Sequence, residues 1–309
     1  MKTTHRFAIL LAALASISFS GRAWSDTFGS GANTFDIEFV SIGNPGNLPD
    51  TTGSPNPAGT VLETYRIGKF EISEQMIDKA NAEGGLGITK DTRGADKPAT
   101  SVTWFEAARF VNWLNTSTGG TPAYKFDGSG NFQLWDAGDA GFNPVNRYRN
   151  SLARYFLPSV HEWYKAAYYD PTSGVYYDYP IGSSTAPTPV ASGTAADTAV
   201  YNQTFEQGPA DITLAGGLSP YGTMGQGGNV YEWEETDFDL VNDSSSSFRA
   251  FRGGDWGDNF VRLLSSSRGS SALTDIVIGF RVASIPEPST TCLVALGMVA
   301  VLWWRRRSS

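Results

Sequence analysis

The stretch TSVTWFEAARFVNWLN, from Thr100 to Asn115, carries the strongest helix signal in this 309-residue sequence. Thr103 followed three residues later by Glu106 has the spacing of a capping box, in which each side chain accepts a backbone N–H of the first turn. An apolar stripe at helical intervals follows, formed by Trp104, Ala107, Ala108, Val111 and Leu114. These features predict a helix that begins after Thr103 and buries one face in a core.

The segment PSVHEWYKAAYYDP, residues 158–171, predicts a second helix by the same reasoning. Ser159 and Glu162 repeat the capping-box spacing, and Pro171 is expected to stop the helix. His161 would then lie in the exposed first turn, where a structural role is expected rather than a catalytic one.

A third helix and several short strands complete the expected fold. ISEQMIDKANAEGG, residues 72–85, should begin its helix after Ser73 and end at its glycine pair. Strand signals occur in FDIEFVSIG, TYRIGKFEIS, FRAFRGG and IGFRVAS, near Phe35, Tyr65, Phe248 and Ile278. With no internal repeat, this pattern predicts a single compact α+β domain with few helices, small sheets and long loops.

The two ends of the chain are predicted to be sorting segments outside that domain. Residues 1–25 combine an early basic stretch with the apolar run FAILLAALASISF and small residues before Ser25, as a cleaved secretory signal does. Residues 285–309 combine IPEPST, the apolar run TCLVALGMVAVLWW and three arginines. That run is shorter than an ordinary membrane-spanning helix, and its arginines favour the cytoplasmic side. The domain is therefore expected to occupy residues 26–284.

Composition excludes several classes of function. The chain has a net charge of -8, and the predicted sorting segments hold several basic residues but only one acidic residue, Glu287, so the domain is more acidic still. Nucleic acid is not expected as a partner. Because the single cysteine is Cys292 in the tail, the domain has no disulfide and no thiol nucleophile. His161 is its only histidine, which excludes histidine-rich metal sites.

Five segments of the domain, in order, resemble the successive motifs of the formylglycine-generating enzyme family, also called sulfatase-modifying factors. They are KPATSVTWFEAARFVNWLN, YFLPSVHEWYKAAYYD, YGTMGQGGNVYEWEE, FRGGDW and IGFRVAS. The resemblance implies a fold related to C-type lectin-like domains. The tail resembles the PEP-CTERM sorting signal, which implies export, processing by an exosortase, and a place at the cell surface or in the extracellular matrix.

The family's best-known activity is the oxygen-dependent conversion of a sulfatase cysteine into formylglycine, for which two cysteines bind copper(I). In RGGDWGDNFVRLL, residues 252–264, the first cysteine position is Asp258 and the second falls near Arg262 to Leu264. Copper(I) prefers thiolates, so no copper is expected here. The resemblance instead implies a ligand pocket formed by Tyr231, Asp255, Trp256, Asp258 and Arg262.

Calcium is the cofactor that the resemblance implies, because family members hold it with oxygen ligands on loops. A first site would use the side chains of Asn202 and Asp211 and the carbonyl groups of Gln203 and Thr213. A second site would use Glu232 and the carbonyl groups of Gly228 and Val230. The position that usually supplies an asparagine or aspartate to the second site is Gly225. Alternatively, Asn202 is an ordinary loop residue and Glu232 belongs to a solvated acidic run.

Three functional hypotheses remain open. The favoured one is an exported module without catalysis that binds a peptide, protein or polysaccharide. A second is an oxygen-dependent modifying enzyme that uses Asp255, Asp258 and Arg262 in place of cysteines. A third is an architectural protein of the extracellular matrix, for which the sorting tail is the positive indication.

Overall fold

The computed structural model describes residues 24–245, 248–271 and 277–286. Most of the predicted secretory signal and of the predicted sorting tail lies outside these described residues. Over the described ranges, no helix is both long enough and apolar enough to cross a membrane.

The three predicted helices are confirmed: α1 spans Glu74–Gly84, α2 Trp104–Ser117 and α3 Val160–Tyr168. Both predicted capping boxes form, and Ser73 caps α1 by accepting the backbone N–H of Met76. Helix α1 ends at Gly84 and is capped by Gly85, whose φ of 61° lies in the left-handed region that favours glycine. These local signals were sufficient to place each helix start.

Helix α3 differs from expectation in two respects. It ends at Tyr168, before Pro171, because Tyr169 turns into an extended conformation and starts a short hairpin. His161 is partly buried rather than exposed, and its Nδ1 accepts the backbone N–H of Gly59 at 3.1 Å. Burial lowers the pKa of His161, which favours the neutral ring that this hydrogen bond requires.

The strands are short and form five sheets. They are β1 Trp24–Phe28, β2 Phe35–Ile42, β3 Tyr65–Gly68, β4 Lys125–Phe126, β5 Phe132–Gln133, β6 Tyr155–Phe156, β7 Tyr169–Asp170, β8 Val175–Tyr176, β9 Thr188–Pro189, β10 Thr198–Ala199, β11 Tyr231–Asp237, β12 Arg249–Arg252, β13 Gly269–Ser271, β14 Ile278–Gly279 and β15 Ala283–Ser284. The largest sheet has the order β1-β2-β3-β15-β6, and a second has the order β13-β12-β11-β14. The other three are two-stranded. The expected α+β class with small sheets and long loops is confirmed.

The five-stranded sheet curves until its two edge strands approach each other. Asp26 on β1 forms an ion pair with Arg66 on β3 at 2.6 Å and accepts the hydroxyl group of Tyr155 on β6 at 2.8 Å. The main hydrophobic core packs against this sheet, where Phe35 stacks on Trp113 of α2 at a centroid distance of 5.9 Å. Strand β1 begins at Trp24, so cleavage after Ser25 would remove its first two residues.

The closing motif IGFRVAS joins the two larger sheets. Its first part is β14, which pairs with β11, and its last part is β15, which lies between β3 and β6. Phe280, Arg281 and Val282 connect the two strands and are fully buried. The buried charge of Arg281 therefore sits at the junction of the sheets and needs partners there.

Candidate functional site

Strand β11 carries four buried carboxylates, each paired with arginine, and we call it the arginine-paired strand. The pairs are Glu232 with Arg281, Glu234 with Arg252 and Arg268, Glu235 with Arg149, and Asp237 with Arg249. The alternative that these acids form a solvated run is wrong, because all four side chains are buried. Their charges are neutralised inside the fold by arginines from distant segments.

The pKa directions follow from burial and from these partners. Burial opposes ionisation of Glu234, but the guanidinium groups of Arg252 and Arg268 hold its pKa below the ordinary value. For Glu235, burial prevails over the attraction of Arg149 and raises the pKa. The strand is thus a closely balanced network in which removal of one partner leaves a buried charge uncompensated.

Glu232 is the residue that the second predicted calcium set requires. Its two carboxylate oxygens accept N–H groups of Arg281 at 2.5 and 2.6 Å, and Oε2 also accepts the indole N–H of Trp163 at 2.7 Å. A guanidinium already supplies the positive charge, and Gly225 offers no side chain. The residues present therefore do not fit the second calcium site.

A buried carboxylate that the sequence did not reveal, Glu71, lies beside Gly225. A Cβ atom added at Gly225 would collide with the Glu71 carboxylate, so that group fills the space of the missing side chain. Oε1 of Glu71 accepts the side-chain N–H of Asn229 at 2.9 Å, whereas Oε2 is buried and has no hydrogen-bond partner in the described part of the chain. Burial, opposed by Arg281 and reinforced by Glu232, raises the pKa of Glu71 to about 7.

The first predicted calcium set lies on exposed loops. Asn202 and Thr213 are exposed, Gln203 is partly exposed, and Asn202 has a positive φ of 56°. Asp211 is the only carboxylate of the set, and its Oδ1 lies 3.0 Å from the Lys97 ammonium. The donor atoms are the hard oxygens that calcium prefers, so their chemistry suits a calcium ion. A bound cation would compete with the Lys97 ammonium for the Asp211 carboxylate.

The predicted ligand pocket contains a tight turn at residues 255–258, which we call the acidic turn. Oδ1 of Asp255 accepts the N–H groups of Gly257 and Asp258 at 2.7 and 3.0 Å. Oδ2 of Asp258 accepts the N–H of Asp255 at 3.0 Å. Both carboxylates thus help to fix the backbone where the family places its first cysteine.

Three of the predicted pocket residues, Tyr231, Asp258 and Arg262, lie close together. Burial raises the pKa of Tyr231, and the neighbouring carboxylate of Asp258 raises it further. The positive charge of Arg262 acts on the same phenol in the opposite direction. Phe260 and Val261 beside Arg262 are about half exposed, at 47% and 48%. Together Tyr231, Asp258, Phe260, Val261 and Arg262 form what we call the ligand surface.

Trp256, by contrast, is fully buried. Its ring packs with Val200, Ala210 and Val230, and its indole N–H donates to the carbonyl group of Phe205 at 3.2 Å. The Arg93 guanidinium lies 4.8 Å from the ring centroid. Trp256 therefore supports the acidic turn from below. A cleft of about 320 Å³ lined by Arg93, Lys97 and residues 205–209 lies beside this support.

Neither Glu71 nor the arginine partners were predicted from the sequence. Gly225 in place of a family asparagine or aspartate was the signal in the sequence that another group fills that space. Which arginine meets which acid depends on strand pairing across long sequence separations, so spacing alone could not assign the pairs. In the described residues, no three histidine, cysteine, aspartate or glutamate side chains gather as a metal site.

Two family models match this chain. Residues 39–285 match the model of the sulfatase-modifying factor enzyme 1-like domain, and residues 284–307 match the PEP-CTERM protein-sorting motif. No curated protein matches the chain significantly.

Solved structures share the fold at low sequence identity. Variable protein 1 of Treponema denticola is 19% identical, with a TM-score of 0.57 over 85% of this chain and 99% of that protein. CarF is 18% identical, with a TM-score of 0.54 over 81% and 99% of the two chains. PvdO from Pseudomonas aeruginosa is also 18% identical, with a TM-score of 0.51 over 84% and 98%.

Proposed function

This chain belongs to the sulfatase-modifying factor enzyme 1-like family and carries a PEP-CTERM sorting motif, and from that premise we propose that its exported domain binds a ligand without formylglycine-generating activity. The sorting motif is the type processed by exosortase machinery and supports export with C-terminal anchoring or surface association. Location in an extracellular matrix is part of the proposal.

The proposed absence of formylglycine-generating activity rests on the residue at the position of the first family cysteine. The position of the first family cysteine is Asp258, whose carboxylate holds the acidic turn and lies beside the hydroxyl group of Tyr231. Carboxylates are hard ligands and cannot replace the thiolates that copper(I) requires. Since the only cysteine is Cys292 in the tail, no residue of the domain can supply a thiol.

The ligand surface has the composition of a recognition site. Half-exposed Phe260 and Val261 offer apolar contact, while Arg262 offers a guanidinium that can pair with carboxylates or sulfates. Tyr231 and Asp258 add a phenol and a carboxylate beside them. Such a mixture of apolar and convergent polar groups suits a peptide, protein or polysaccharide.

The test of catalysis uses a peptide with the sulfatase motif Cys-x-Pro-x-Arg. The purified protein is incubated with this peptide, copper(I), calcium and oxygen, and the peptide mass is followed. We expect the cysteine to remain unchanged while circular dichroism shows folded protein. Conversion to formylglycine, absent without protein, would overturn the proposal.

The test of binding uses immobilised probes of defined chemistry. The same peptide, a sulfated polysaccharide and a neutral polysaccharide are compared on wild type, Arg262→Ala and Tyr231→Phe, with Val145→Ala as a control at an exposed site of the 142–150 loop. We expect at least one probe to bind wild type and the control, and to lose about tenfold or more in affinity with Arg262→Ala. Equal binding by all four proteins would exclude this surface.

Calcium is the cofactor that we propose for the first site, with Asn202, Asp211 and the carbonyl groups of Gln203 and Thr213 as ligands. The supporting observation is the oxygen donor set on adjoining loops. After chelation, added calcium should raise the unfolding temperature of wild type but not that of Asp211→Asn, because binding to the folded state stabilises it. An equal rise in both proteins would contradict the assignment.

A further inference from the structure

The two sorting segments leave the domain at the same end of the five-stranded sheet. Strands β1 and β2, β2 and β3, and β3 and β15 are antiparallel pairs, so β1 and β15 also run in opposite directions. The start of β1 at Trp24 and the end of β15 at Ser284 therefore point to one end of the sheet. We call this the tail-exit end.

The tail holds the tail-exit end close to any membrane in which it is inserted. The described chain ends at Pro286, and the apolar run begins at Thr291. Five residue steps of extended chain reach about 17 Å. When the apolar run enters the bilayer, Pro286, two residues after the last strand of the domain, can therefore lie no further than about this distance from the hydrocarbon.

Exposed aliphatic side chains lie on the segments that flank the strands at this end. Leu48 and Leu62 belong to the loop that connects the end of β2 to the start of β3, and they are 83% and 79% exposed. The loop is closed near them by a hydrogen bond from the Gly46 N–H to the Val61 carbonyl group at 2.8 Å.

Two further aliphatic residues lie at the neighbouring strand ends. Leu152, just before β6, is 60% exposed, and Ile285, just after β15, is 44% exposed. The N–H of Ile285 donates to the carbonyl group of Arg154 at 3.0 Å, which ties these two segments together. Single exposed leucines are ordinary, but four aliphatic residues that share the exit point of a membrane segment are a candidate contact surface.

We propose that the tail-exit end is a lipid-facing surface, on which Leu48, Leu62, Leu152 and Ile285 contact the bilayer while the tail is inserted. The opposite end of the same sheet, with the β1–β2 connection around Ala32, faces away from the membrane. This orientation depends on the sorting tail and the sheet topology. It does not depend on the proposed ligand or on calcium.

The orientation can be tested with the full chain in phosphatidylcholine vesicles. In a Cys292→Ser background, an environment-sensitive fluorophore is attached at Leu62→Cys or at Ala32→Cys, and lipids with a quencher in the acyl chains are added. We expect quenching and a blue shift at position 62 and neither at position 32. The same fluorophore on native Cys292 reports whether the tail has inserted.

The contact itself is tested by Leu48→Ser/Leu62→Ser, with the fluorophore at Ile285→Cys in the Cys292→Ser background. We expect at least a twofold loss of quenching relative to the parent chain, whereas Leu218→Ser, at a 46% exposed leucine outside these segments, should leave the quenching unchanged. Tail insertion, followed on Cys292 in separate samples, should be the same in all variants. Equal quenching at positions 62 and 32, or no loss with the double variant, would overturn the proposal.

Discussion

The arginine-paired strand and the acidic turn both gather carboxylates, yet their surroundings give them different roles. Glu232 and Glu234 are fully buried, and each is held by guanidinium groups at 2.5 Å. Asp255 and Asp258 are partly exposed, and they bond mainly to the N–H groups of their own turn. The same chemical group therefore stabilises a sheet in one region and shapes a surface in the other. The burial of each carboxylate and its hydrogen-bond partners determine which of these two roles it has.

The largest effect on stability is expected at the junction of the two larger sheets, where Arg281 pairs with Glu232. Arg281→Ala removes the partner of Glu232 and leaves a buried carboxylate uncompensated, so we expect a loss of about 3–5 kcal/mol in the free energy of unfolding. Urea denaturation followed by tryptophan fluorescence measures it. Arg281→Met/Glu232→Met should recover part of the loss, because neither charge is then buried. A loss below about 1 kcal/mol for the single variant would contradict the role given to this pair.

A second effect is expected in the pH dependence of stability and concerns Glu71. Its pKa is raised from 4.5 to about 7 in the folded protein, so the folded state retains a proton that the unfolded state releases. The resulting stabilisation is complete below pH 4.5 and is lost as the pH rises through about 7. Relative to Glu71→Gln, wild type should lose about 3 kcal/mol over this interval. A constant difference between the proteins in urea denaturation at each pH would refute it.

A smaller loss of stability is expected at the acidic turn. Tyr231→Phe removes the hydroxyl group that lies beside the Asp258 carboxylate in a partly buried position, which should lower the free energy of unfolding by about 1 kcal/mol. Thermal denaturation measures the change, and Tyr177→Phe provides a control at a tyrosine outside the turn. If Tyr231→Phe destabilised the protein as much as Arg281→Ala, the acidic turn would contribute to stability as the arginine-paired strand does. The two regions would then not differ in role.

The smallest stability effect is expected for Arg262→Ala. The side chain is exposed, so the free energy of unfolding should change by no more than about 0.5 kcal/mol. The same substitution is expected to abolish most probe binding, which separates recognition from stability. Large destabilisation here, measured under the urea conditions used for Arg281→Ala, would show that the two regions are not distinct.

Local signals predicted the helices well because their starts depend on nearby residues. Ser73, Thr103 and Ser159 each accept a hydrogen bond from the first turn, as their spacing indicated. The C-terminal end of α3 was less predictable. Tyr169 pairs with Tyr176 in a hairpin, and this pairing ends the helix before Pro171 is reached.

The candidate site was predictable only in part. Family motifs indicated Tyr231, Asp258 and Arg262, and the charges of Asp258 and Arg262 act on the phenol of Tyr231. The first set of calcium ligands and the binding role stay predictions. The ion pair of Glu232 with Arg281 and the burial of Glu71 could not be derived from spacing, since each depends on segments far apart in the sequence.

The position of β15 has a consequence for the order in which the domain can be completed during synthesis. This strand is the last of the domain, yet it lies between β3 and β6 in the interior of the sheet. A chain that crosses a membrane from its amino end delivers β15 only when the tail is about to follow. The five-stranded sheet is therefore completed after the rest of the domain has crossed the membrane, and next to the translocation site. Completion of the domain and arrival of the sorting signal then occur at the same time.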